Sequence, residues 1–240
     1  MRRRVSLFVT CLVDQLWPEV GLATARVLER AGCEVRFDPR QTCCAQPAFN
    51  SGFRDEARRV ARHFVEVFEG SDAIVMPSGS CASMVRHLPE LFEAEPEWHA
   101  RAERVAARTH ELAGFLVREL GVTDLGAHFA GRVAWHDACH GLRELGLREE
   151  PRALLRAVRG VELVELEGAE ACCGFGGTFS VSFPELSTAI VDHKLSRLEA
   201  ARVDVLASLD ASCLMQLGGR LARGGSAVRT LHLAEILAST

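Results

Sequence analysis

Eight of the nine cysteines in this 240-residue chain fall into one pattern, written twice. Each copy has a single Cys, then an adjacent pair, then another single Cys. The first set is Cys11, Cys43-Cys44 and Cys81; the second is Cys139, Cys172-Cys173 and Cys213. Cys11 to Cys43 is 32 positions and Cys139 to Cys172 is 33; Cys44 to Cys81 is 37 and Cys173 to Cys213 is 40. A repeat on this scale constrains architecture before any single motif does, because each copy is one folding unit. The expected units are residues 1–125 and 126–240. Cys33 stands outside the pattern and reads as a small core residue.

The elements around the cysteines repeat as well. In the first half a strand is predicted over 5–10, directly before Cys11. A helix over 18–30 follows, with Pro18 opening it and Gly32 ending it. Strand 33–37 alternates apolar and polar residues, and the loop after it carries Cys43 and Cys44. A helix over 55–68, an apolar strand over 73–76, a helix opened by Cys81 and a long helix over 98–120 complete this half. The second half reads as strand 132–135, helix 151–158, strand 161–166, the Cys172-Cys173 loop, helix 184–200, strand 203–207 and a Leu-rich helix opened by Cys213. A last strand over 228–231 and a short helix over 233–237 close the chain. This alternation implies an α/β protein: two pseudo-repeated open, mostly parallel sheets flanked by helices. Every repeated Cys follows a strand, so the cysteines gather at the carboxyl edges of the sheets, where ligands of such sheets bind.

Composition narrows the class. The chain is 48% apolar, enough for a core without disulfide staples. Its net charge is −4, with both signs interspersed and no basic stripe, so nucleic acid is not an expected partner. No apolar run approaches the roughly 18–20 residues of a membrane span. Met1 to Arg4 followed by Val5 to Val13 has the basic-then-apolar look of a signal peptide, but the run contains Cys11, stops at Asp14 and lacks a small-residue cleavage site. A buried strand is the better reading, and the cytoplasm the expected compartment. Nine cysteines there point to metal or redox chemistry rather than to disulfides.

Four converging thiolates suit zinc or an iron–sulfur cluster. Structural zinc sites favour close CxxC knuckles, and neither half has one. Adjacent cysteines diverge, which is awkward around one ion and easier around a larger cluster. One or two iron–sulfur clusters, of the 4Fe-4S type, are therefore expected, with zinc an alternative in one half. After Cys173, Gly174, Gly176 and Gly177 would turn backbone N–H groups toward the bound group. His136 and His140 flank Cys139 and are candidate ligands or hydrogen-bond partners, with Asp137 placed to orient one of them. Phe175 and Phe179 are expected to wall the site from water. His87 and His193 lie on predicted helices and read as solvated. No nucleophile–base triad or carboxylate pair stands out.

The stretches VSLFVTCLVD, CCAQPAFNSG, MPSGSCASM, HDACHGLRELG, CCGFGGTFSV and CLMQLGGR resemble the tandem cysteine-rich CCG domain family, in its lactate-utilization branch. The family includes the CCG-bearing component of heterodisulfide reductase. The resemblance spans essentially the whole chain. It implies a cytoplasmic iron–sulfur electron-transfer component acting with two partner proteins in oxidation of L-lactate to pyruvate. It also assigns the ligand role to Cys11, Cys43, Cys44, Cys81, Cys139, Cys172, Cys173 and Cys213. Heterodisulfide reductase-like thiol chemistry and a zinc or redox-sensing role are the alternatives. Against the first, Met84 and Gln216 stand where the reductase component has a further Cys in each repeat. The first repeat also has Ala45 where the second has Gly174, which implies a weaker N-terminal site.

Overall fold

A computed structural model describes residues 2–240. It contains two four-stranded sheets. The first comprises β1 (Arg4–Leu7), β2 (Glu34–Arg36), β3 (Ile74–Met76) and β4 (Thr109–Glu111), in the order β2-β1-β3-β4. The second comprises β5 (His128–Trp135), β6 (Arg159–Val164), β7 (Val205–Ser208) and β8 (Arg229–His232), in the order β6-β5-β7-β8. Every pairing between these strands is parallel. The orders are identical, so the repeat in the cysteines is a repeat of the fold. Helices supply the crossovers that parallel pairing requires. Strands β3 and β7 are buried throughout, as central parallel strands should be. No described helix is long and apolar enough to cross a membrane.

One predicted element is corrected. The helix expected over 98–120 is instead helix Pro96–Ala106, strand β4, and a further helical stretch from Leu112 to Glu119. Strand β4 has only three residues, and its pairing with β3 overrides the helical pattern around it. The repeat itself carried the signal: Thr109-His110-Glu111-Leu112-Ala113 matches Thr230-Leu231-His232-Leu233-Ala234. Glu111 and His232 end equivalent strands, and each caps the next helix: Glu111 accepts from the Ala113 and Gly114 N–H groups, His232 from Ala234 N–H.

Glu111 is 3% exposed, and burial raises its carboxyl from 4.5 to about 8. A carboxyl raised in the folded state favours folding below its ordinary pKa, and that advantage is lost as pH rises from 4.5 to about 8. Glu111→Gln keeps an acceptor for the cap and cannot ionise. Chemical denaturation should show wild-type stability falling relative to that of the variant by about 3–5 kcal/mol over that interval. Equal slopes would refute this account.

The halves pack reciprocally. The terminal helix Leu233–Ala238 of the second half lies on helix Pro18–Arg30 of the first, and Leu112–Gly114 lies on helix Glu149–Ala157. At the centre, Ser78 and Asp210 form an antiparallel bridge between the carboxyl ends of β3 and β7. A Cβ on Gly79 would meet Leu209 at 2.5 Å and the Gly141 backbone at 3.1 Å, so this approach requires glycine.

Candidate metal centre

Each repeated Cys sits in a segment that leaves the carboxyl end of a strand. Cys11 opens helix Cys11–Leu16 after β1, and Cys139 precedes the short His140–Glu144 turn after β5. Cys81 lies in the first turn of helix Gly79–Arg86, where Ser78 accepts from its N–H. Cys213 lies in the first turn of helix Ala211–Arg223, capped by Asp210. Ser78 and Asp210 thus each stand three residues before a cluster Cys, a capping pattern visible in the sequence but not singled out there.

The two Cys-Cys turns share one backbone shape. Gly174 has φ 84 and Ala45 has φ 77, both left-handed. Gly174 needs to be glycine, because a Cβ there would meet the Ser187 carbonyl at 2.6 Å. Ala45 holds the same conformation at a cost of about 1–2 kcal/mol. The missing glycine therefore leaves the shape of the N-terminal turn unchanged. The Gly174 N–H donates to Cys172 Sγ at 3.3 Å.

All nine thiols are free. Cys11 and Cys43 Sγ lie 3.9 Å apart, and Cys173 and Cys213 Sγ lie 3.1 Å apart. Cys44 lies beside Cys43 and Cys81, Cys172 beside Cys173, and Cys139 near Cys172. Each half therefore brings its own thiols near one another, and in the second half Cys173, Cys213 and His136 place donor atoms within 4.8 Å of one another, the one such group among the described residues. A cavity of about 420 Å3 lies between the halves, lined by Cys11, Cys44 and Cys81 on one side and by Cys139, Cys172, Cys173 and Cys213 on the other. Gly176, Gly177, Phe175 and His140 also line it. Cys43 faces a separate cleft of about 370 Å3 that it shares with Cys11. A larger cleft of about 480 Å3 beside Glu111 and Arg118 contains no cysteine and is not this site. Phe179 packs on Phe183 rather than on the chamber wall, 5.7 Å between ring centroids. Cys33 is buried in the core, as expected.

The electrostatics fit a cationic group. Hydrogen bonds to neighbouring thiols and burial push Cys11, Cys44 and Cys172 upward; burial and the nearby Cys172 push Cys139 upward. Cys43 moves down, to about 3, because Cys11 and Cys44 both donate to it. Clustered thiols cannot all ionise beside one another without positive charge among them. A bound metal group supplies that charge, so the donor set fits one.

The histidines differ. His140 is partly exposed, with Nδ1 3.6 Å from Cys139 Sγ. His136 is 1% exposed, and burial, with the nearby Lys194, lowers it to about 3, leaving a neutral imidazole. Asp137 does not orient either ring. It accepts from Trp135 Nε1 at 2.9 Å and from the Arg152 guanidinium at 2.9 and 2.8 Å. Lys194, 5% exposed, donates from Nζ to the Gly168 and Ala169 carbonyls at 3.1 and 2.6 Å. Burial lowers it to about 8. Gln216, at a position taken by Cys in the heterodisulfide reductase component, donates to Ser187 Oγ at 2.8 Å.

Two parallel sheets in tandem, one presenting three thiols and the other four to a common chamber, define a class of double cysteine-rich proteins. The Cysteine-rich domain (CCG) family profile matches residues 5–86 and 133–218. The chain is 49% identical over 234 residues to lactate utilization protein A of Geobacillus kaustophilus, covering 98% of each chain. It is 46% identical over 236 residues to lactate utilization protein A of Bacillus subtilis, covering 98% of this chain and 99% of the relative. The chain belongs to the lactate utilization protein A family of cysteine-rich domain proteins. A hypothetical protein from Helicobacter pylori shares the fold, with TM-score 0.63 and 11% identity, over 98% of this chain and 48% of that one.

Proposed function

We propose that this chain is the iron–sulfur electron-transfer component of a cytoplasmic system, completed by two partner proteins, that oxidises L-lactate to pyruvate. The family supports the lactate role. The observation that carries the electron-transfer reading is the chamber: seven cluster cysteines line it, and none of its described lining residues is Lys or Arg. It offers thiolates to hold a redox group but no described Lys or Arg to receive the carboxylate of lactate. Cys11, Cys43, Cys44 and Cys81 would hold one group, and Cys139, Cys172, Cys173 and Cys213 the other. When bound, such a group accepts and passes single electrons. The chain's own residues orient the thiolates of Cys81 and Cys213, through the caps at Ser78 and Asp210.

Zinc in the N-terminal half is the second reading. The Cys11 and Cys43 sulfurs are 3.9 Å apart, close to the about 3.8 Å edge of a tetrahedron with 2.3 Å zinc–sulfur bonds.

Anaerobically purified protein should be brown and contain iron and inorganic sulfide. Cys173→Ser should abolish the EPR signal and the iron of the C-terminal set and leave any N-terminal centre in place. Colourless protein with stoichiometric zinc, or an unchanged Cys173→Ser spectrum, would sink the iron–sulfur assignment. A deletion strain that grows normally on L-lactate would sever the lactate role.

A further inference from the structure

The two thiol sets have different walls. Phe8 and His136 are equivalent: each stands three residues before the first Cys of its set, and each N–H donates to the central strand, to Val75 and Ala207 respectively. Phe64 and Lys194 are equivalent too. Each is the eleventh residue after the Phe, Phe53 or Phe183, that precedes its helix. The buried positions of the two helices then coincide, Ala57 with Ser187, Ala61 with Val191 and Phe68 with Leu198. In the first half Phe8 and Phe64 pack edge to face, 5.0 Å between centroids. In the second half that hydrocarbon pair is replaced by an imidazole and an ammonium.

His136 has the marks of a donor. A ring nitrogen of His136 and the Sγ atoms of Cys173 and Cys213 all lie within 4.8 Å of one another. Neither ring nitrogen has a hydrogen-bond partner among the described residues, although the side chain is buried. Buried polar atoms in folded proteins are nearly always paired, so a lone pair left free beside two thiols points to a partner that the polypeptide does not supply. The backbone is pinned: Ser208 Oγ donates to the His136 carbonyl at 3.1 Å and His136 N–H to Ala207 at 2.8 Å. The Ala169 carbonyl lies on the imidazole side and also accepts from Lys194 Nζ and Asp137 N–H.

We propose that His136 is a fifth donor of the C-terminal centre, a nitrogen ligand to the group held by Cys173 and Cys213, with the buried Lys194 behind it. The inference rests on the reading that the second thiol set holds a redox metal group. It makes the two centres chemically distinct. The N-terminal centre has sulfur ligands alone against an aromatic wall. The C-terminal centre has mixed nitrogen and sulfur donors and a nearby cation. Positive charge close by favours the reduced state, so Lys194 acts to raise the reduction potential of the C-terminal centre.

The test is pulsed EPR on reduced full-length protein, grown with and without 15N-histidine. A directly bound imidazole should give a nitrogen coupling that changes with the label, on the centre that Cys173→Ser removes. His136→Ala should abolish that coupling, and His140→Ala should leave it. Should His136→Ala fail to fold, His136→Asn serves, keeping a buried polar side chain while deleting the imidazole. Absence of a label-sensitive coupling, or its survival in the His136 variants, overturns the inference. Iron and sulfide content of the same samples reports separately on the underlying reading. Iron present without histidine coupling overturns the fifth donor alone, whereas no iron at all overturns both.

Discussion

Asp210→Ala should loosen both thiol sets at once and cost about 2–4 kcal/mol of stability. Asp210 is 2% exposed and serves both halves. One carboxylate oxygen accepts from Ser212, from Oγ at 2.6 Å and N–H at 3.3 Å, which caps the helix carrying Cys213. The other accepts from Ser80 N–H at 2.8 Å and Ser78 Oγ at 3.5 Å, on the helix carrying Cys81. Removing the side chain takes the acceptor from two backbone N–H groups and two hydroxyls, of which those of Ser78 and Ser80 are buried. Each buried unmet donor costs about 1–3 kcal/mol, less whatever local relaxation recovers. Asp210→Asn retains one acceptor but turns an NH2 group toward donors, so its loss should be intermediate. Thermal unfolding with metal analysis of each half decides the matter. Damage confined to the C-terminal set would show that Asp210 is an ordinary cap rather than a link between the halves.

That link explains what could and could not be read from the chain. The positions of Cys11, Cys81, Cys139 and Cys213 at strand ends were legible because each follows an apolar strand run, which is a local signal. Convergence within a set followed from parallel topology. The shared chamber was not legible, since it depends on Ser78 meeting Asp210 across the molecule, and no local pattern reports such a contact. Strand β4 was hidden by its length: Thr109–Glu111 lies between helical segments and is a strand only because β3 offers its edge. Asp137 was misread because its neighbours in sequence are histidines, while its neighbour in space is Arg152, one helix away. Lys194 was overlooked because its burial comes from a loop, Gly168 and Ala169, whose fold the sequence does not announce.

Arg152→Met should cost about 3–5 kcal/mol and act on the C-terminal set alone. The Arg152 side chain is 6% exposed and that of Asp137 is 1%. The guanidinium holds both Asp137 oxygens, reaches Glu165 Oε1 at 2.8 Å, and donates to the Arg148 carbonyl at 2.7 Å. Those hydrogen bonds raise Arg152 further above its ordinary range, so it remains charged throughout. Methionine fills a similar volume but leaves Asp137 buried with the Trp135 indole N–H as its side chain's one remaining donor. The penalty is therefore an uncompensated buried charge rather than a cavity. Arg152→Lys would keep the charge but lose the two-pronged contact, and should still be clearly destabilised. Adding Asp137→Asn to Arg152→Met removes the stranded charge and should recover a substantial part of the loss, a coupling that a double-mutant cycle reads directly. Asp137 lies between His136 and Cys139 in the segment leaving β5, so the single variant should perturb the C-terminal EPR signal while the N-terminal set is unchanged. If both halves lost metal equally, the Arg152–Asp137 pair would be a support of the whole fold and not of one centre. The first half has Val9 where the second has Asp137, two residues before Cys11 and Cys139 respectively. A buried charge pair was thus built, together with His136 and Lys194, behind one thiol set of an otherwise duplicated fold, and selective damage there is the expected signature of two centres with different work.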